Sequence, residues 1–416
     1  MALTDLRLRV VAAISEIPAS AWNSCANPQI AVAADAACEP VEETMQPSKS
    51  KSQEHSYNPF ISHEFLHSLE ASGSAVARAG WQPQHLVVET PEGDVLGAVP
   101  CYMKSHSRGE YVFDRGWAEA YERAGGQYYP KLQVSVPFTP ATGSRLLIRP
   151  GPNAETVRAG LAAGLLELCR QHDASGVHVT FMPKPEWQFL AAQGFLQRTD
   201  QQFHWENDGY ASFDAFLAAL SARKRKTIRR ERREALENGI AVHWLTGRGL
   251  TEEAWDAFFN FYMETGSRKW GRPYLTRQFY SLVGQAMADR IVLIMAKRAG
   301  RWIAGAINFI GSDTLFGRHW GAIEHHPFLH FEICYYQAIA FAIEHKLARV
   351  EAGAQGEHKL ARGYMPVTTH SAHYIADPGL RRAIAEYLTR ERAYVEAAGE
   401  ELAAAAPFRK DLVEQD

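Results

Sequence analysis

Apolar and polar positions change period along this chain in a fixed order, and the order occurs twice. Near the start, Leu6, Leu8 and Val10 alternate with charged residues, as on a half-buried strand. From Asn58-Pro59 the period lengthens: Phe65, Leu66 and Leu69 share one face of a helix that ends near Gly73. HLVVET and VLGAVPCYMKSH flank the turn residues PEGD and predict a hairpin. An aromatic and polar connection over 107–143 leads to a strand at RLLIRPG. A helix over 153–172, the strand VHVTFM, the short helix PEWQFLAAQ and the strand GFLQRTDQQFHWEN follow. The second half predicts a helix over 212–237, the strand IAVHWL and a helix over 251–264. Next come three strands, IVLIMAKR, WIAGAINFIG and TLFGRHWGAI, and a helix over 329–346. The strand ARVEAG, a strand at 367–375 and helices over 379–404 complete the order. Two α/β units related by an internal repeat of element order account for this pattern.

Length and composition narrow the class. A chain of 416 residues suits two domains with extensions. We expect an N-terminal piece at 1–25, a disordered insertion at 26–57, domains at 58–207 and 208–378, and C-terminal helices at 379–416. The insertion is set apart by Ala, Glu, Ser, Lys, Gln and Pro with no apolar period. A net charge of −3 gives no global attraction to nucleic acid or membrane. Five scattered cysteines without CxxC spacing suit a reducing cytoplasm. Asp5, Arg7, Arg9 and Glu16 interrupt any signal-peptide core, and no apolar run reaches membrane-spanning length.

Three blocks carry a family resemblance. HSRGEYVFD, WAEAY, YYPKL and VPFTPATGSRLL form the first, RKWGRPYLTRQFY the second, and GRHWGAI, HFEICYYQAI and EAGAQGEHKLARGY the third. Together they resemble the FemAB-like family of predicted bacterial N-acyltransferases, which is similar to the Fem transferases of peptidoglycan bridges. The resemblance implies an α/β fold with mixed sheets, two tandem GNAT-like domains and amide-forming acyl or aminoacyl transfer. It also implies an amine-bearing small molecule or cell-wall precursor as acceptor. The donor stays open between aminoacyl-tRNA, acyl-CoA and a carrier-bound acyl group, with no permanently bound cofactor.

The densest chemistry lies in RVEAGAQGEHKLARGY, 349–364. Amide formation needs a base for the amine's proton and donors for the tetrahedral oxyanion. Glu351 at a strand end and His358 in the following loop are the candidates for proton transfer. Lys359, Arg362, Gln355 and Arg318 are candidates for positioning and for binding an anion. Trp320, His330 and Tyr335 are further substrate contacts, and Lys104, His106 and Glu110 are expected from the opposing wall. His330 and Glu332 diverge on a helix, so only one of them faces a cleft. The helix start near GAIEHHPFLHFE lacks a Gly-rich phosphate loop, and Glu332 in its first turn would repel a pyrophosphate. In the first half, Arg149 and Gly151 in RPGPNAET are a weak anion-loop signal.

Two other motifs compete with this reading. Residues 221–237 hold eight Lys/Arg against three Glu, a local charge of +5. A helix at 223–233 with such a face would steer tRNA, or else be a solvated face laced by pairs such as Arg230–Glu234. His63-Glu64-Phe65-Leu66-His67 matches HExxH, but without a third ligand it reads as the first helix of the fold rather than a zinc peptidase, and no metal site is assigned. The main alternative to an enzyme is a non-catalytic recognition module for a cell-wall precursor or RNA.

Overall fold

The computed structural model describes residues 6–28, 57–270, 273–354 and 356–409. Most of the 26–57 insertion therefore lies outside the described residues. At its two ends Asn27 and Asn58 bond reciprocally, Asn58 N to Asn27 Oδ1 at 2.9 Å and Asn27 Nδ2 to the Asn58 carbonyl at 3.2 Å. The insertion thus leaves and re-enters the fold at one point.

Fifteen strands are described. They are β1 (Arg7–Val11), β2 (Trp81–Pro83), β3 (His85–Glu89), β4 (Val95–Val99), β5 (Cys101–Lys104), β6 (Lys131–Val134), β7 (Leu147–Ile148) and β8 (Gly176–Met182). The others are β9 (Leu196–Glu206), β10 (Ile240–Leu245), β11 (Ile291–Arg298), β12 (Arg301–Ile310), β13 (Thr314–Ala322), β14 (Arg349–Ala354) and β15 (Met365–Ile375). The predicted hairpin forms as β3–β4. Pro100, which has no N–H for a ladder, then separates β4 from β5, and the chain crosses from one sheet to the other. The first sheet runs β1-β3-β4-β7. The second has eleven strands in the order β10-β11-β12-β13-β14-β9-β15-β8-β6-β5-β2.

That order makes the repeat visible and also joins its halves. In the second half, antiparallel β10 to β13 lead through a helix to β14, which runs parallel to β13. In the first, β5 and β6 lead through the helix Ala154–Gln171 to β8, which runs parallel to β6. This is the GNAT-like order of a mixed α/β unit, twice. Each unit's last strand then crosses over: β9 pairs with β14, and β15 pairs with β8, while β9 and β15 lie side by side over nine residue pairs. The two halves are hydrogen-bonded through one continuous ladder.

Several elements differ from the sequence expectation. The helix over 212–237 is two helices, Phe213–Ala219 and Ala222–Ala235, separated at Leu220, which instead bridges to Phe408. The connection over 107–143 contains the helix Arg115–Arg123 and β6, two short elements hidden among turn residues and aromatics. The helix near 251–264 extends over Glu252–Trp270. The helix after β13 contains a π-helical turn, Glu332–Tyr336, between Leu329–Phe331 and Gln337–Glu344.

The second-half sheet buries both faces. Alternate residues of β11 go to opposite cores: Leu293 and Met295 pack with Phe258 and Phe261 of the helix Glu252–Trp270. Val292 and Ile294 pack with Ile339 and Phe341 of the helix Gln337–Glu344. Gly321 of β13 lets the first of these helices lie against the strand. A Cβ there would stand 2.2 Å from the backbone carbonyl of Phe261, which no side-chain rotation relieves. Gly321→Ala is therefore expected to cost about 1–3 kcal/mol of stability, the usual range for overpacking. Denaturant unfolding checks this, and an unchanged midpoint would refute the close packing of Glu252–Trp270 on β13.

Candidate active site

The site begins where two parallel strands part. β13 and β14 pair over only three residues, Thr314–Phe316 with Arg349–Glu351. Beyond them β14 stays with β9, taking up a bulge between Glu351 and Ala354, while β13 stays with β12, with its own irregularity opposite Ala306 to Asn308. Each strand keeps its outer neighbour and loses the inner one, which opens a notch at their C-terminal ends. In open α/β sheets ligands bind at such places, outside the carboxyl ends of the strands.

Strand alternation places different chemistry on the two faces of the notch. Val350 packs into the core beneath the helix Gln337–Glu344, so Glu351 points to the opposite face, beside its register partner Phe316. Its carboxyl is buried, with His204 of β9 at 3.9 Å. Burial is the main cause of both shifts in this pair. It raises Glu351 from 4.5 to about 8, opposed by the positive charges of Arg349 and Arg318. It lowers His204 from 6.5 to about 3, helped by Arg349 and Lys359. At neutral pH the pair is thus a protonated acid beside a neutral imidazole, not a salt bridge. Arg318 lies on the same face, and its Nη2 donates to the Phe138 carbonyl at 2.7 Å, which ties the notch to the first half.

The other face carries the second predicted proton-transfer residue. His358 sits in the short helical loop Glu357–Arg362, with its Nε2 2.9 Å from the Tyr335 hydroxyl. The His330 ring lies 6.4 Å from the His358 ring and 5.2 Å from Trp320, so β13, the π-helical turn and the loop converge here. Next to this cluster lies a cleft of about 450 Å³ lined by Trp320, Ala322, Ile323, Phe328, Leu329 and Phe331, among others. Lys359 reaches between the faces and donates to the Gly353 carbonyl at 2.9 Å; burial lowers its ammonium to about 8. Glu351 and His358 accordingly serve opposite sides of one opening rather than one another.

Other predicted residues have structural partners. Arg362 is held by Glu231, Nη2 to Oε1 and Oε2 at 3.0 and 2.9 Å, and its guanidinium stacks 3.5 Å from the Phe331 ring centre. Its Nη1 donates to the His358 carbonyl at 2.7 Å, so it shapes the loop rather than presenting a bare anion site. Glu332, expected to repel a pyrophosphate, turns inward: it is fully buried and bonds Arg232 and Gln337, while His330 faces the cleft. Lys104 and Glu110 pair at 3.4 Å, both buried, with Lys104 stacked 3.5 Å over Trp81. Burial pushes Lys104 down to about 7. His106 bonds the Ala79 carbonyl at 3.0 Å. Lys104 and Glu110 thus form a buried polar pair, and His106 lies half-buried beside them. Gln355 lies outside the described residues.

The equivalent opening in the first half is filled. β6 and β8 also pair over three residues, but Arg145 lies fully buried beside them. It donates to the carbonyls of Thr180, Gly143 and Ala141 at 2.8–2.9 Å and locks the 139–145 segment in place. The HExxH helix is likewise engaged: Asn23 Nδ2 donates to Glu64, and His63 Nε2 contacts the Ile14 carbonyl. Among the described residues no group of three His, Cys, Asp or Glu is placed to hold a metal ion. No described helix is long and apolar enough to cross a membrane.

Sequence reasoning missed His204 and Glu231. His204 alternates on β9 between apolar Phe203 and Trp205, a core pattern that gives no sign of its neighbour 147 positions away in sequence. Glu231 is surrounded by arginines and looks like a surface counter-charge.

The linkage sign for Glu351 follows from its raised pKa. Below about pH 4.5 folded and unfolded chains both hold the proton. Between that value and about 8 only the folded chain does, so this group makes stability fall with rising pH, by up to about 1.4 kcal/mol per unit. Glu351→Gln is expected to gain stability relative to the wild type as pH rises through that window. Parallel stability–pH curves for the two proteins would show that the carboxyl is not buried as described.

The profile of the FemAB-like family, described as peptidoglycan biosynthesis/recognition, matches residues 13–410. A search of curated protein sequences finds no match. Among solved structures the chain is similar to FemX, at 12% identity and a TM-score of 0.47, over 76% of this chain and 93% of that one. L-PGS from Bacillus licheniformis is similar at 10% identity and a TM-score of 0.47, over 82% and 99%. A tandem GNAT protein from the clavulanic acid biosynthesis pathway is similar at 14% identity and a TM-score of 0.42, over 90% and 99%. All three are distant likenesses.

Proposed function

The chain belongs to the FemAB-like family, and from that premise we propose that it is an amide-forming N-acyltransferase working across the notch between β13 and β14. One observation carries the reading. A buried carboxyl whose pKa burial raises to about 8 faces one side of the opening, and an imidazole–phenol pair beside a cleft lies on the other. A base with such a pKa is matched to an amine near neutral pH.

The acceptor amine enters on the Glu351 side and the acyl donor on the His358 side. The amine nitrogen attacks the acyl carbonyl carbon, forming the C–N bond, and its proton passes to the Glu351 carboxylate. The C–O bond of an ester or the C–S bond of a thioester then breaks, and the departing atom takes a proton from His358, which Tyr335 orients. Lys359 and Arg318 supply the positive charge nearest the tetrahedral oxyanion. Burial, rather than a counter-ion, sets the Glu351 pKa, and His204 is its neutral neighbour.

The family description supports an amine-bearing cell-wall precursor as acceptor. A polyanionic donor carrier such as tRNA would meet the exposed cations of the helix Ala222–Ala235. The inward residues of that helix, Glu231 and Arg232, hold the cleft's loop and π-helical turn.

Transfer assays with labelled aminoacyl-tRNA, acyl-CoA and carrier-bound acyl donors test the reading. The wild-type pH profile of kcat/KM is expected to rise with a midpoint near 8. Glu351→Gln should lower kcat/KM by about 10²–10⁴-fold and remove that limb, leaving only the higher ionisation of the amine itself. A Glu351→Gln enzyme with unchanged rate and profile rules the assignment out.

A further inference from the structure

The cleft beside Trp320 meets the transfer residues along two rows of rings. Phe331, one of its walls, lies 5.7 Å from the His358 ring and 6.3 Å from Phe328. Trp320, another wall, lies 5.2 Å from His330, which lies 6.4 Å from His358. An acyl carbonyl held at His358 is therefore at the cleft's edge. In an aminoacyl donor, three substituents of that carbonyl could fill the space beyond it: the side chain, the α-ammonium and the carrier.

The walls decide among them. Trp320, Ala322, Ile323, Phe328, Leu329 and Phe331 are carbon-rich. Glu324, the one carboxylate among the lining residues, accepts from Arg298 Nε at 2.9 Å and contacts His326 Nε2 at 2.9 Å. An α-ammonium keeps its hydration better at the mouth than against these walls. The terminal base of a tRNA would lie beyond a ribose, whose hydroxyls need partners of their own. An apolar side chain needs none, and it displaces water from aromatic and aliphatic surfaces. Size adds a second criterion. The volume of about 450 Å³ lies within the range of small-molecule pockets. An alanyl methyl, about the size of one water at about 30 Å³, would leave most of it to solvent.

Resting on the proposed acyl transfer, we infer that this cleft takes the side chain of an aminoacyl donor and selects a large apolar one over a small or polar one. The side chain lies along Ile323, Phe328 and Leu329. The carbonyl faces His330 and His358, the α-ammonium sits at the mouth, and the carrier stays outside.

The test uses aminoacyl-aminodeoxyadenosines, stable amides that carry the aminoacyl end of a charged tRNA with nitrogen in place of the ester oxygen. Glycyl, alanyl, leucyl, phenylalanyl and asparaginyl members are titrated into the full chain by calorimetry, with the unacylated nucleoside as reference. Each buried methylene-sized group should tighten binding about fourfold, so leucyl and phenylalanyl should each exceed alanyl by about tenfold or more. Asparaginyl, close to leucyl in size, should bind no tighter than alanyl. Ile323 is 38% exposed, so Ile323→Asp should fold, as circular dichroism and thermal melting will show. It should weaken the leucyl and phenylalanyl members by about tenfold and leave the glycyl member unchanged, with Ile323→Ala in between. Affinity that ignores the side chain overturns the inference, and if every member binds like the unacylated nucleoside the cleft belongs to the terminal base. A preference for asparaginyl over leucyl, or undiminished side-chain selection in folded Ile323→Asp, overturns it as well. The two readings fail separately. Side-chain selection together with a fully active Glu351→Gln enzyme would remove the proposed catalysis and leave the cleft. Glu351-dependent transfer without side-chain selection would do the reverse.

Discussion

The position of β9 is the constraint on which the site depends. As the last strand of the first repeat, it lies between β14 and β15 of the second, bonded to both. β14 therefore has a partner to follow when it leaves β13, and the notch opens without leaving a row of unpaired backbone groups on that edge, which would be costly if buried. The same exchange brings His204 to Glu351 and binds the halves into one ladder. Neither repeat could supply this geometry alone.

Burial rather than ion pairing sets the electrostatics there. Two arginines act on Glu351, yet desolvation outweighs them and the carboxyl stays protonated to about pH 8. His204 is driven in the opposite direction by the same cause. A carboxyl in such a place is expensive for the fold and useful for proton transfer, a combination typical of functional sites. The first repeat offers a contrast. Its opening is stopped by a buried arginine bonded to its own backbone, and its lysines and carboxylates neutralise one another beneath the surface. Of the two equivalent openings, the second is left unplugged, and the first is closed by bonds within its own half.

The basic helix Ala222–Ala235 braces the cleft from behind. Its outward face carries the exposed cations, with Arg230 paired to Glu234 at 3.6 Å in the helical spacing expected from sequence. Its inward face holds Glu231, bound to Arg362 and the Tyr336 hydroxyl, and Arg232, bound to Glu332. Arg362 in turn fixes the His358 carbonyl. Removing one partner from a buried ion pair leaves an uncompensated charge, which costs about 3–5 kcal/mol, so the cleft's loop and π-helical turn are firmly tied to this helix.

The sequence alone determined most of the order of elements, the α/β class, the family and the segment where acid, base and glycines concentrate. These are local properties: hydrophobic period, turn chemistry and residue type are read within a few positions of one another. Glu351, His358 and Lys359 stand out as candidates because they fall in that one dense loop after a strand. Tertiary structure decided which face of the sheet each one serves, because a bulge of two residues and an exchanged strand set that, and neither leaves a periodic signal. It also decided the fate of the charges. Lys104, Glu110 and Arg362 look alike as site residues in sequence, yet each has a buried partner, and Glu332 turns inward. Pairing of charges depends on distances across the fold, and a linear order of residues does not contain them.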